Sequence, residues 1–125
     1  MKKVFYASSR AEFLNAAYHT NFKTHPQAVW TKPDGTDVWM VRMDGKVRDD
    51  FKNTRYENKV IEEYVGHDPK LLKKTAIGLE RVVVLIVDSP TSPLSRYEIL
   101  GTYELSLAES KIATYRVWYK ISDEM

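Results

Sequence analysis

A chain of 125 residues has room for one ordinary domain, 1–125, with a real core, and not for two. Its 43% apolar and 29% charged residues exclude the disordered and fibrous classes, and the absence of cysteine excludes disulfides, thiolate zinc sites and cysteine nucleophiles. The 19 basic and 17 acidic residues are interspersed, and a net charge of +2 permits nucleic-acid binding without demanding it.

The predicted elements begin with a short strand, Lys3 to Tyr6. In "SSRAEFLNAAYHTNF", Ser9 and Glu12 form a capping box, and Phe13, Leu14, Ala17 and Tyr18 follow at helical spacing, so a helix starts here. His25-Pro26 ends whatever follows, because a residue before proline is pushed out of helical geometry. From Gln27 to Phe51 the period changes to two. The runs "QAVWTK", "DVWMVRM" and "KVRDDF" predict a three-stranded antiparallel meander with turns at Pro33-Asp34-Gly35 and Asp44-Gly45. The middle run is apolar on both faces, which predicts a central strand.

In Asn53 to Gly66 the residues Tyr56, Val60, Ile61, Tyr64 and Val65 fall at helical spacing. The reading adopted is a helix closed by Gly66, although the β-branched content of 54–65 also suits a strand. Asp68-Pro69 then predicts the cap and first position of a further helix, with Leu71, Leu72, Thr75, Ala76 and Leu79 as its apolar face and Lys70, Lys73 and Lys74 on the other. "RVVVLIV", 81–87, reads as a strand buried on both sides, and "SPTSPLS", 89–95, as an exposed loop. Two long strands finish the chain, "RYEILGTYELS" and "KIATYRVWYKIS", and Gly101 inside the first predicts a bulge or bend. The longest apolar run, Val82 to Val87, is far short of a membrane span, and "MKKVFYASSR" has no long apolar stretch after its lysines. A cytoplasmic protein is expected.

Two stretches offer chemistry. In "PDGTDVWMVRMDGK", Asp34, Asp44 and Lys46 have the spacing of a Mg²⁺-dependent nuclease, with carboxylates as hard ligands and a lysine beside the attacking water. Both aspartates, however, fall in turn signals at opposite ends of one strand, roughly 25 Å apart at about 3.3 Å of rise per residue, too far for one ion. The acids Asp49, Asp50, Glu62 and Glu63 suit solvated positions better than a metal site, and His19, His25 and His67 lack ligand spacing. No metal and no cofactor is expected. In the last strand, alternation sets Ala113, Tyr115, Val117, Tyr119 and Ile121 on a core face and Arg116, Trp118 and Lys120 on the other. An indole between two cations is suited to stacking a base while pairing phosphates, and it equally suits a ring covered by a helix and by the stems of its neighbours. Lys70, Lys73 and Lys74 form a ridge that could add phosphate contacts, or simply be wet.

The expected fold is α+β: a mainly antiparallel, strongly twisted sheet, with a partial barrel as its extreme form, and two or three packed helices. The expected function is a non-enzymatic module that binds nucleic acid through a sheet face, with Arg116, Trp118, Lys120, Lys70, Lys73 and Lys74 as contacts. The alternatives are a protein-binding inhibitor or accessory factor, and the nuclease of Asp34, Asp44 and Lys46.

Overall fold

The computed structural model describes residues 2–66, 79–111 and 114–125. The helix predicted after Asp68-Pro69, with its lysine ridge, lies almost wholly outside the described residues. Within them there are nine strands and one helix. The strands are β1 (Val4–Ala7), β2 (Val29–Thr31), β3 (Asp37–Val41), β4 (Asp44–Arg48), β5 (Phe51–Tyr56), β6 (Lys59–Tyr64), β7 (Glu80–Val87), β8 (Ser95–Leu105) and β9 (Tyr115–Ser122); the helix is α1 (Arg10–Tyr18). They form one sheet in the order β2-β3-β7-β8-β9-β6-β5-β4, with β1 on β8. Only β3 and β7 run parallel; every other pairing is antiparallel. The expected α+β class with two or three packed helices is therefore corrected: among the described residues the fold is mostly sheet, nine strands in one mixed, mainly antiparallel sheet with a single helix on it. That helix is too short to cross a membrane.

The helix α1 starts where its cap predicts, with Ser9 Oγ accepting from the Glu12 amide at 3.1 Å, and it stops at His19, whose φ of 58° is left-handed. The segment predicted as a helix from Asn53 to Gly66 is instead the hairpin β5–β6, closed by Asn58 at φ 59°. A β-branched, cross-strand-paired surface outweighs helical spacing here, because Ile61 and Val60 find partners on β5 and β9.

The predicted meander is half right. β2 and β3 form a hairpin over Asp34-Gly35, with Gly35 at φ 91°. The third strand does not return beside β3. It leaves for the opposite end of the sheet and pairs with β5, and Asp44-Gly45 becomes a bulge in that ladder rather than a turn. The turn falls five residues later, where Asp49 and Asp50 both take positive φ, 50° and 67°, as a two-residue hairpin needs. β8 carries the predicted bulge: the register with β7 slips between Val83 and Val84, and Gly101 at φ 130° comes so close to Ser122 of the chain's end that a Cβ would overlap its carbonyl.

Alternation along these strands gives two cores, one on each face. On one side α1 and β1 cover Val38, Met40, Val82, Val84, Ile86, Tyr97 and Ile99, with Phe13 stacked on Tyr97 at 4.9 Å. On the other the sheet curls on itself around Trp39, Val60, Val83, Tyr103, Leu105 and Trp118. Residues of β3 and of β4 and β5, from opposite ends of the strand order, line one cavity inside that curl. The sheet is thus bent towards a barrel, as Gly101 and the bulges allow.

Candidate functional site

Three polar side chains stand in a cross-strand row on the inner face, because Asn53 of β5 opposes Glu62 of β6 and Glu62 opposes Arg116 of β9. One step along β9, Trp118 shares that face with Arg116. From β7, Arg81 reaches into the same space, and its guanidinium lies over two indoles, 4.0 Å from the Trp118 ring centre and 4.8 Å from that of Trp39. The carboxylate of Glu62 gathers the group: Oε1 accepts from Trp118 Nε1 at 3.3 Å and from Arg116 Nη1 at 3.4 Å, and lies 3.7 Å from Arg81 Nη1. Glu62, Arg81, Arg116 and both indoles are buried, with Arg81 only 3% exposed and Arg116 2%, and Asn53 is half-buried.

One carboxylate, Glu62, lies beside both guanidiniums, and Asp37 acts more weakly on Arg81. Burial pulls the Arg81 guanidinium below its usual range; Glu62 pushes it back up and Arg116 lowers it further. Its Nε and Nη1 donate no hydrogen bond, and Oδ1 of Asn53 accepts none. Each such orphan costs roughly 1 to 3 kcal/mol, and native proteins keep few of them. Arg81 is thus a buried cation with idle donors, lying against two indoles whose planes are tilted by 41° to each other.

The space for it is a cavity of about 380 Å³. Among the described residues its walls carry Arg10, Arg42, Lys46, Arg48, Arg81 and Arg116 against Asp49 and Glu62, with Trp39 and Phe51 as flat surfaces. Arg10 opens α1 and is anchored by Nε donating to the Met40 carbonyl at 3.2 Å. At the lip two arginines make two-pronged ion pairs. Arg42 donates to Asp88 from Nε at 2.6 Å and Nη2 at 2.9 Å, and Arg48 to Asp44 from Nη1 at 2.7 Å and Nη2 at 2.8 Å. The bonds from Arg42 and Ser95 hold the Asp88 carboxyl down at about 2.

Of the predicted contacts, Arg116 and Trp118 do come together, but inside the curl. Trp118 is 0% exposed, so it is not a solvent-facing stacking platform; among the described residues Arg81 lies over its ring and Trp39 beside it. Lys120 stands apart and pairs with Asp123. Lys70, Lys73 and Lys74 lie outside the described residues. Of the nuclease set, Asp34 caps its own turn by accepting from the Thr36 amide, Asp44 is held at the lip by Arg48 and the Lys46 amide, and Lys46 lines the cavity. Among the described residues no three His, Asp or Glu side chains are placed to hold a metal. Arg81 and Asn53 were missed, and Glu62, read as a solvated acid, is buried. For Arg81 and Glu62 the sequence signal is a charged residue at an inward position among apolar ones, visible once the strands and their faces are known.

No family model matches this chain, and no curated protein does. A solved structure is similar: that of the 5-hydroxymethylcytosine-specific restriction enzyme AbaSI, with a TM-score of 0.64 and 20% identity, over 85% of this chain and 35% of that one. At that identity the likeness is one of fold, and this chain spans about a third of the enzyme's length.

Proposed function

We propose that the chain is a nucleic-acid-binding module that takes one base, turned out of its strand, into the cavity inside the curled sheet. The observation that carries this is Arg81, buried against the rings of Trp39 and Trp118, with Nε and Nη1 donating no hydrogen bond at the cavity wall and Glu62 as its ion-pair partner at 3.7 Å. A bare phosphate or carboxylate would satisfy those donors but leave Asn53 Oδ1 idle, because an anion offers acceptors alone. A base edge offers acceptors and a donor side by side. The volume falls in the range of about 300 to 1,000 Å³ that small-ligand sites occupy, and Phe51 and Trp39 supply flat walls. The cations at the lip suit the phosphates that remain outside. Likeness in fold to a restriction enzyme specific for 5-hydroxymethylcytosine supports a nucleic-acid ligand.

Turning a base out costs a few kcal/mol in a duplex and least in a single strand, so single-stranded or mismatched substrates are favoured. The test is Arg81→Met, which keeps a stem of similar length and removes the donors. Affinity for a single-stranded oligonucleotide should fall by roughly 1 to 3 kcal/mol, the worth of a good base contact. Thermal stability should hold or rise, because Glu62 is left with Arg116 as a balanced pair. Undiminished binding by a folded Arg81→Met variant would end this reading.

A further inference from the structure

The two ion pairs at the lip have a use beyond holding the rim together. A carboxylate gripped by both prongs of a guanidinium has the geometry of a phosphate in the same grip. Arg42 and Arg48 both line the base cavity, and both also line a neighbouring open groove of about 460 Å³ that contains their partners Asp88 and Asp44. The pairs therefore stand on the border between the two spaces, where the strand on either side of an inserted base would pass. They are also near each other, since Arg48 acts on Asp88 as well as on Asp44.

Each pair is open to water. The side chains of Arg42 and Asp88 are 30% and 55% exposed, those of Arg48 and Asp44 39% and 42%. Pairs so exposed are weak, and an incoming phosphate can displace the carboxylate. Each aspartate nevertheless has a second anchor that does not depend on its arginine. Ser95 Oγ donates to Asp88 at 2.8 Å, and the Lys46 amide donates to Asp44 at 3.0 Å. The acids thus stay in place as competitors when the arginines are drawn away.

The geometry points to Asp44 and Asp88 as stand-ins for two backbone phosphates, which occupy Arg48 and Arg42 in the free protein and must be displaced when a strand binds. This rests on the base cavity being the nucleic-acid site, and it adds what kind of ligand that site takes: an internal nucleotide with a phosphate on each side. A free nucleoside would leave both carboxylates undisturbed. The acids also hold down affinity for polyanions that do not fill the cavity.

The experiment is binding of a fluorescent single-stranded oligonucleotide, titrated over salt, to the wild type, Asp44→Asn, Asp88→Asn, Arg81→Met and Glu104→Gln. Glu104 is an exposed acid on β8 and serves as the control for overall charge. Asp44→Asn and Asp88→Asn should each bind the oligonucleotide about two- to fivefold more tightly, the worth of an exposed pair no longer opposed. Their salt slopes should steepen by about one, a phosphate contact no longer offset by a carboxylate. Affinity for a nucleoside should not change. Equal or weaker oligonucleotide binding by both Asn variants overturns the competition, and so does equal tightening by Glu104→Gln. If that happens while Arg81→Met loses affinity, the base cavity stands and only the competition falls. Full binding by Arg81→Met, or no binding by the wild type at low salt, removes both.

Discussion

The two faces of the sheet are built from alternate residues of the same strands, yet they are finished differently. Arg81 and Val82 are neighbours on β7 and both are buried. Val82 points into a core of aliphatic and aromatic groups closed by α1 and β1. Arg81 points into the curl, where a cation, its partial counter-charge and an idle amide oxygen share a wall with an open cavity. The first face shows what the chain does when stability alone is at stake: burial of apolar area, with the Phe13, Phe5 and Tyr97 rings packed edge-on or stacked. The second carries three of the four buried polar atoms without a hydrogen-bond partner among the described residues, Arg81 Nε and Nη1 and Asn53 Oδ1; the fourth, the Tyr18 hydroxyl, lies on the helix-covered face. Buried polar groups without partners are the places where a fold departs from its own packing rules, and such departures gather at binding sites.

The sharpest way to break the comparison is to damage each face and ask whether nucleic acid can repair it. Phe13→Ala truncates a fully buried ring in the helix-covered core and should cost roughly 3 to 5 kcal/mol in thermal or denaturant melts. Saturating oligonucleotide should recover no more of that loss than it adds to the wild type. Glu62→Gln removes the carboxylate between Arg81 and Arg116 and should cost about 3 kcal/mol, since the buried Arg81 guanidinium loses its nearest counter-charge. Here an oligonucleotide should stabilise the variant more than the wild type, because the inserted base supplies acceptors to the guanidinium that has lost Glu62. Equal rescue of the two variants would erase the distinction between the faces.

The smallest effect lies at the lip and is read by pH. The Asp88 carboxyl is held at about 2 by Arg42 and Ser95, below its unfolded value. A group with a depressed folded pKa stabilises the protein above its unfolded pKa and loses that contribution as pH falls through the folded one. The Asp88 pair should therefore contribute its full amount above about pH 4 and lose it between about pH 4 and 2. Half exposed as it is, the pair is worth at most about 1 kcal/mol. Melts of Asp88→Asn should converge with wild type at pH 2 and lie slightly below it at pH 5. A gap that persists at pH 2 would show that Asp88 acts by something other than its charge.

Wherever a local rule had one outcome, it was legible before the structure. The Ser9 cap, the Asp34-Gly35 turn, the doubly buried "RVVVLIV" strand and the Gly101 bulge each rest on chemistry confined to a few residues. The hairpin β5–β6 was missed because its turn at Asn58, like the one at Asp49-Asp50, has no glycine to announce a positive φ. The site was half legible for the same reason of locality. Arg116 and Trp118 share a face by alternation, which any reader of "YRVWYK" can see, but which way that face looks depends on how the sheet curls.

Composition and period determined that this chain would be a twisted, mostly antiparallel sheet with apolar strands at its centre, since alternation and turn residues act within ten residues of one another. Only the tertiary structure decided that β4 would cross to the far end of the sheet, that the sheet would roll its Arg116 and Trp118 face inward, and that Arg81, Glu62 and Asn53 would meet there. Those outcomes turn on pairings between strands distant along the chain, and the free energy of such a pairing is set by the partner strand, which no local window contains.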